Sequence, residues 1–307
     1  MKPISFVAAV IFAGACSAPS APPGSSVAEL RAALPTRASL AITPVATQNA
    51  PAQTACVVLR PSSFGTLTHQ IAGSTDGVLG GILGTVEQIM STPPALAEPG
   101  HAVWGPISSP NAAAVYRLDV AATAPSEFHF VLSGRPTAGD ESTWRGLFQG
   151  VTVAPDADHR SGQVAIDFNV MHALDATTDP IAGAVGVHFD AAGAARHVTA
   201  SFAGIAGKSA PQPDDAQYEL ALAADQSAGL GFATRIDFDG DGALDELAHI
   251  DSRWAASGHG VAHLTVTGGS LGSGSVGAVE CWDPSLGRVF YADSRGGSEG
   301  DATCCPQ

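Results

Sequence analysis

From about residue 113 onward, apolar and polar side chains alternate with a period of two. In "QVAIDFNV", Val164, Ile166, Phe168 and Val170 fall on one side, and Gln163, Asp167 and Asn169 on the other. That is the signature of a strand with one dry and one wet face. The same alternation runs through "AVYRLDV", "EFHFVLSG", "AVGVHFDA", "HVTASFAG", "QYELALA", "GFATRIDF" and "VAHLTVTGG". Turn clusters such as "AAGAAR" and "SGHG" separate these runs without helical patterns between them. Such strands pair with their neighbours in sequence through short turns, not through helical crossovers. The pattern predicts a mainly β domain: an antiparallel meander, a curled sheet or partial barrel of about nine to eleven strands with one packed helix.

That helix is read from "DGVLGGILGTVEQIMSTPP". Leu79, Ile82, Leu83, Val86 and Met90 recur at helical spacing, Asp76 offers an N-cap, and Pro93 supplies a stop. Gly80, Gly81 and Gly84 cost helix stability but would let the helix approach a sheet closely. A shorter helix is expected in "SVAELRAAL", where Ser26 and Glu29 have capping-box spacing and Pro35 follows. Beyond the strand rhythm no repeat is visible, and residues 51–307 read as a single β-rich domain.

The first residues obey a different rule. "MKPISFVAAVIFAGAC" places Lys2 before an apolar run from Ile4 to Ala13, then small residues up to Cys16. This is the three-part pattern of a secretory signal over residues 1–15, and it is too short to span a membrane. Its end, "FAGAC", resembles the bacterial lipoprotein box, in which the cysteine after the cut is acylated; Ala13 departs from it, standing where the box favours Leu. The resemblance implies lipidation of Cys16 and attachment to a membrane through that anchor. With Ser17 rather than Asp after Cys16, it also implies delivery to the outer membrane. An ordinary A-x-A cleavage site at Ala13 and Ala15 is the alternative. Residues 16–50, rich in Pro, Ala and Ser, read as a tether with a possible short helix.

Cysteine number bears on that choice. Five cysteines in an exported chain leave one over, whereas a lipidated Cys16 leaves Cys56, Cys281, Cys304 and Cys305 as an even set. Adjacent Cys304 and Cys305 are poor partners for each other, so Cys281 takes one and Cys56 the other, in either order. They also lack the C-x-x-C spacing of a zinc site.

Composition narrows the partners. A chain that is 45% hydrophobic and 14% charged can build a core. A net charge of -15 excludes a phosphate backbone as partner, because nucleic-acid binding depends on Lys and Arg. A curled sheet with an apolar concave face could instead hold a lipid or another apolar ligand.

The acidic stretch "IDFDGDGALDEL" carries the strongest chemical signal. Asp237, Asp239 and Asp241 occupy positions 1, 3 and 5, Gly242 position 6, Ala243 position 7 and Asp245 position 9. A calcium loop offers carboxylates, a glycine turn, a backbone carbonyl and a further oxygen in this order. The stretch resembles the DxDxDG loops of dockerin, thrombospondin type 3 and integrin-like repeats, which implies a structural calcium ion as cofactor. Ala248 replaces the bidentate glutamate of an EF-hand, so Glu246, Asp251 or water would complete the shell. An acidic hairpin turn is the alternative.

Catalytic strings fail on context. "GGSLG" around Ser270 matches a nucleophile elbow, but neither a helix nor a later histidine follows. "GSGSVG" opens no βαβ unit, and "GIAGKS" lacks the first glycine of a phosphate loop. His259 and His263 lack the glutamate of a zinc protease, while His129, His188 and His197 fall on polar strand faces. Trp254, Trp282, Phe290 and Tyr291 read as core of the last hairpins. The ending, "DSRWAASGHGVAHLTVTGG" with "ECWDPSLGRVFYAD" and a terminal cysteine, resembles a group of uncharacterised predicted lipoproteins of high-GC proteobacteria. That resemblance implies an envelope lipoprotein and no activity. The expected function is a non-enzymatic binding or structural module of the cell envelope. The competing expectations are a secreted metal-dependent hydrolase and a calcium-dependent adhesion protein.

Overall fold

The computed structural model describes residues 24–40, 56–108, 113–156, 158–175, 181–206 and 214–306. The signal, Cys16 and much of the tether lie outside the described residues.

The chain opens with two short helices, α1 (Val27–Ala33) and α2 (Arg37–Leu40), then an edge strand β1 (Arg60–Pro61) and a long helix α3 (Ser63–Met90). A run of strands follows: β2 (Leu96–Glu98), β3 (His101–Ile107), β4 (Ala114–Ala124), β5 (Glu127–Pro136), β6 (Arg145–Val153) and β7 (His159–Asp167). Helix α4 (Phe168–Leu174) interrupts it before β8 (Ala182–Ala192), β9 (Ala195–Ala206), β10 (Asp214–Leu222), β11 (Ala228–Ile236) and β12 (Glu246–Trp254). The chain ends with β13 (Gly260–Gly268), β14 (Ser275–Trp282), β15 (Gly287–Asp293) and β16 (Ser298–Gly300). All sixteen strands belong to one sheet whose order from β2 to β15 follows the chain, with β1 and β16 both on the outer side of β15. Every pairing is antiparallel, as alternation without crossovers demands.

The sheet is open, and both margins are short: β2 has three residues, β1 two and β16 three. Short edges limit the unpaired backbone presented to other chains. Helix α3 packs most closely on β3 and β4 near one end of the order and on β13 and β14 near the other. One helix can meet both ends only if the sheet curls round it. Leu79, Leu83, Val86 and Ile89 of α3 join Leu30 of α1 and inward-facing Trp104, Leu118, Phe130, Val187, Leu220 and Trp282 in one core. The concave face is therefore filled by helices and side chains. The opposite face is wet, as the alternation in β8 and β12 shows.

Helix α1 has both reciprocal bonds of its capping box, Ser26 with Glu29. Arg160 of β7 donates to Leu34 O at 3.0 Å and Ala32 O at 2.5 Å, fixing the orphan carbonyls at the end of α1 against the sheet. The cysteines pair as Cys56–Cys304 and Cys281–Cys305, with Cα separations of 6.0 and 5.3 Å. This resolves the order that the sequence leaves open.

Several expectations need correction. Among the described residues the sheet has sixteen strands rather than nine to eleven. Part of the excess is β3, broken in pattern by Gly105-Pro106, and β6, whose Gly146 and Gly150 blur the alternation. There are four α-helices among the described residues, not one packed helix with a short companion. The long helix starts at Ser63, capped by Ser62, so Asp76 lies inside it. Gly80 and Gly81 face open space, and Gly84 meets the Arg37 side chain; the close approach to the sheet falls at Gly65. "QVAIDFNV" stops being a strand at Asp167, whose carboxylate accepts from Asn169 N and Val170 N and starts α4. Among residues 56–60 only Arg60 belongs to a strand, and Val57 is 77% exposed.

Candidate metal centre

The β11–β12 hairpin ends its ladder at Ile236 opposite Glu246, leaving residues 237–245 as the connecting loop. Gly240 and Gly242 have φ of +81° and +92°, a region that glycine enters at little cost. The loop folds on its own carboxylates. Asp237 accepts from Gly240 N at 2.7 Å and from Gly242 N at 2.9 Å, Asp239 from Asp241 N at 3.2 Å, and Asp241 from Ala243 N at 2.8 Å.

Below the loop sits Glu246, fully buried. One of its oxygens accepts from Phe238 N at 3.0 Å, and the other from Ser270 N and Oγ at 3.2 Å. Ser270 lies in a short 3-10 turn, Gly269–Leu271, between β13 and β14. Gly269, with φ of +50°, lies so close that a Cβ there would come within 2.6 Å of Asp245 Oδ1. Glu246 thus ties two neighbouring turns together.

Carboxylate oxygens of Asp237, Asp239 and Glu246 lie within 4.8 Å of one another. None of the three makes an ion pair with a basic side chain among the described residues; Glu246 has only neutral N–H and O–H donors. Next to them, partial desolvation followed by the charges of Glu246, Asp241 and Asp239 holds the Asp245 carboxyl above the ordinary aspartate range. Carboxylates without a basic counter-charge on a glycine-turned loop suit a hard divalent cation with oxygen ligands. Asp237, Asp239 and Glu246 would hold it, and each retains lone pairs beyond its present hydrogen bonds.

Of the residues expected as ligands, the structure brings together Asp237 and Asp239. Asp241 and Asp245 stay outside this group of side-chain oxygens, and Glu246, expected only to complete the shell, is central to it. The signal for Glu246 was legible. In "ELAHIDSRW" it shares the dry side with Ile250, Ser252 and Trp254, where a glutamate needs a partner.

Ser270 lies in a hairpin turn, and "GSGSVG" runs into β14. "GIAGKS" leaves the described residues after its Ala206. His129, His188 and His197 are exposed on their strands, His129 and His197 beside Glu127 and Glu219. No histidine joins the acidic group among the described residues. Trp254 and Trp282 are buried as expected, whereas Phe290 and Tyr291 are only partly so.

Compared with known protein families, with curated proteins and with solved structures, the chain matches none.

Proposed function

We propose that the chain is a non-enzymatic lipoprotein of the bacterial cell envelope, attached to the outer membrane through a lipid on Cys16. In this reading it serves as a binding or structural module whose β11–β12 loop takes a structural calcium ion. The observation that carries the reading is the cysteine pairing. The two disulfides use Cys56, Cys281, Cys304 and Cys305, so Cys16 has no cysteine left to pair with. Disulfides belong to oxidising compartments, in keeping with a secretory signal that ends at this cysteine.

The calcium part rests on Asp237, Asp239 and Glu246, which meet without a basic partner among the described residues. An ion held there would screen the carboxylates and brace the β11–β12 loop. Through the bonds of Glu246 to Ser270, it would also brace the β13–β14 turn. That is a stabilising role and involves no bond breaking.

Labelling the full chain with palmitate in a Gram-negative host tests the anchor. The reading expects label on the wild type and none on Cys16→Ala; a wild type that stays unlabelled and is released from the membrane refutes it. Calorimetric titration of the chelator-treated protein tests the ion separately: saturable calcium binding supports it, and its absence leaves the loop an acidic hairpin turn.

A further inference from the structure

A second feature lies on the wet face of the same strands, away from the acidic loop. Register and burial place Gly229 and Gly231 of β11, Asp251 and Arg253 of β12, and Val261 and His263 of β13 on the outer side of the sheet. Gly229 pairs with Arg253 and Gly231 with Asp251; across the next ladder Asp251 pairs with His263 and Arg253 with Val261. A cleft of about 760 Å³ opens there, with Pro306 of the C-terminal tail on its wall. That size lies within the range of small-molecule sites.

Gly229 lines the floor of this cleft, and Gly231 lies next to it on the same face of β11, outside the lining. Neither has a positive φ, so no turn requires them. A Cβ at Gly229 would meet nothing nearer than Ser252 O at 3.7 Å, and one at Gly231 nothing nearer than 3.9 Å, so packing does not require them either. Glycine inside a strand costs stability and commonly marks a place where a ligand approaches the backbone. Here it sinks the floor of β11 below the side chains of β12 and β13.

We infer that this glycine-floored cleft is a binding site for a neutral, hydroxyl-rich ligand of the saccharide class. The polar wall holds a carboxylate, a guanidinium and an imidazole, planar groups that can bond pairs of hydroxyls. Asp251 and Arg253 oppose each other in charge, with Oδ1 and Nε 3.7 Å apart, so the wall favours no net ionic charge on its ligand. Val261 and Pro306 offer apolar surface for the C–H face of a sugar ring. The inference gives the envelope module a ligand class, and it uses neither Cys16 nor the acidic loop.

The experiment probes the detergent-solubilised full chain with immobilised neutral trisaccharides, glucan, mannan and chitin-derived, and with one uronic-acid trisaccharide. The strongest is then measured by calorimetry for wild type, Gly229→Val and Arg253→Ala. The expected result is saturable binding of a neutral trisaccharide, weakened roughly tenfold or more in both variants. The melting temperature of Gly229→Val should be unchanged or raised, because valine suits a strand. Failure of every neutral probe to bind, stronger binding of the uronic acid, or unchanged affinity in folded Arg253→Ala overturns the inference. None of these outcomes depends on lipid or calcium.

Discussion

Ser62 donates its hydroxyl hydrogen to Glu280, and this bond joins the start of α3 to the dry face of β14. The same oxygen of Glu280 accepts from Phe64 N at 2.8 Å, so a buried carboxylate takes up one of the orphan donors of the helix. Its other oxygen rests against the buried Arg288 guanidinium as an ion pair without hydrogen-bond geometry. Arg288 in turn faces Glu299 at 3.6 Å, which holds Arg60 at 2.8 Å. One chain of charges therefore links β1, α3, β14, β15 and β16. Glu280→Ala would leave the buried Arg288 with only the longer contact to Glu299 and is expected to cost about 3 kcal/mol. Replacing both with apolar residues, as in Glu280→Leu with Arg288→Met, should cost less, the remainder reflecting the lost bonds from Ser62 and Phe64 N, and chemical denaturation of the single and double variants checks the difference. A loss in the double variant equal to the sum of the two single losses would mean that the pair is not coupled.

The two disulfides bear on the same corner and should differ in weight. Cys56–Cys304 spans 248 positions and Cys281–Cys305 only 24. If cross-links act by restricting the unfolded chain, the first contributes about 5 kcal/mol and the second about 3 kcal/mol. The double serine variant at Cys56 and Cys304 should therefore unfold at lower denaturant than the one at Cys281 and Cys305. The reverse order would place the stabilisation in the folded packing around Cys281, which is fully buried.

Much of this architecture is legible in the chain because the alternation of β4, β8 and β9 is a direct image of one buried and one wet face. What escapes it is set by contacts distant in sequence. The first half of α3 has no strong apolar stripe; it is helical because Ser62 caps it, Glu280 receives its first donors, and Thr68 bonds to Ser252 at 2.6 Å. Phe168 and Val170 fit a strand as well as a helix, and the Asp167 side chain decides locally. In the acidic loop the carboxylates are evident, but their grouping depends on the parity of β12, which turns Glu246 inward.

Crowding of those carboxylates gives the loop a pH signature. A carboxyl whose folded pKa is raised binds its proton more tightly in the folded state, so stability falls as pH rises from the unfolded value of 3.8 through the raised folded value. Above that window the penalty at Asp245 is fully present. Asp245→Asn should accordingly raise the melting temperature at pH 7 in chelator, and the gain should vanish below pH 3.8. With calcium bound, the gain should shrink or reverse, since the ion offsets the repulsion. A gain independent of both pH and calcium would show that the substitution acts by another route.

Occupancy of the loop has its own expected size. A ligand at one hundred times its dissociation constant stabilises by about 2.7 kcal/mol, so calcium should raise the melting temperature of the wild type. Asp239→Ala removes an exposed member of the group and Glu246→Gln the buried one, and both should abolish the calcium-dependent rise. Glu246→Gln retains an oxygen acceptor for Phe238 N or Ser270, so its chelator-treated form should melt close to the wild type. A calcium-dependent rise that persists in both variants would rule out this group as the site.

The glycines of α3 offer a test of where the helix approaches the sheet. At Gly65 an added Cβ would lie 2.7 Å from Ser62 Oγ and 2.9 Å from the Trp282 ring, which is fully buried and has no room to yield. Gly65→Ala should therefore destabilise the fold by about 1–3 kcal/mol through overpacking, despite the better helix propensity of alanine. Gly80 and Gly81 have nothing within 4 Å of an added Cβ, so alanine at each should stabilise by roughly 0.5–1 kcal/mol. Opposite signs in thermal or urea denaturation would locate the tight contact at the capped end of the helix. A loss at Gly80 or Gly81 would mean that the open side of α3 is covered in solution.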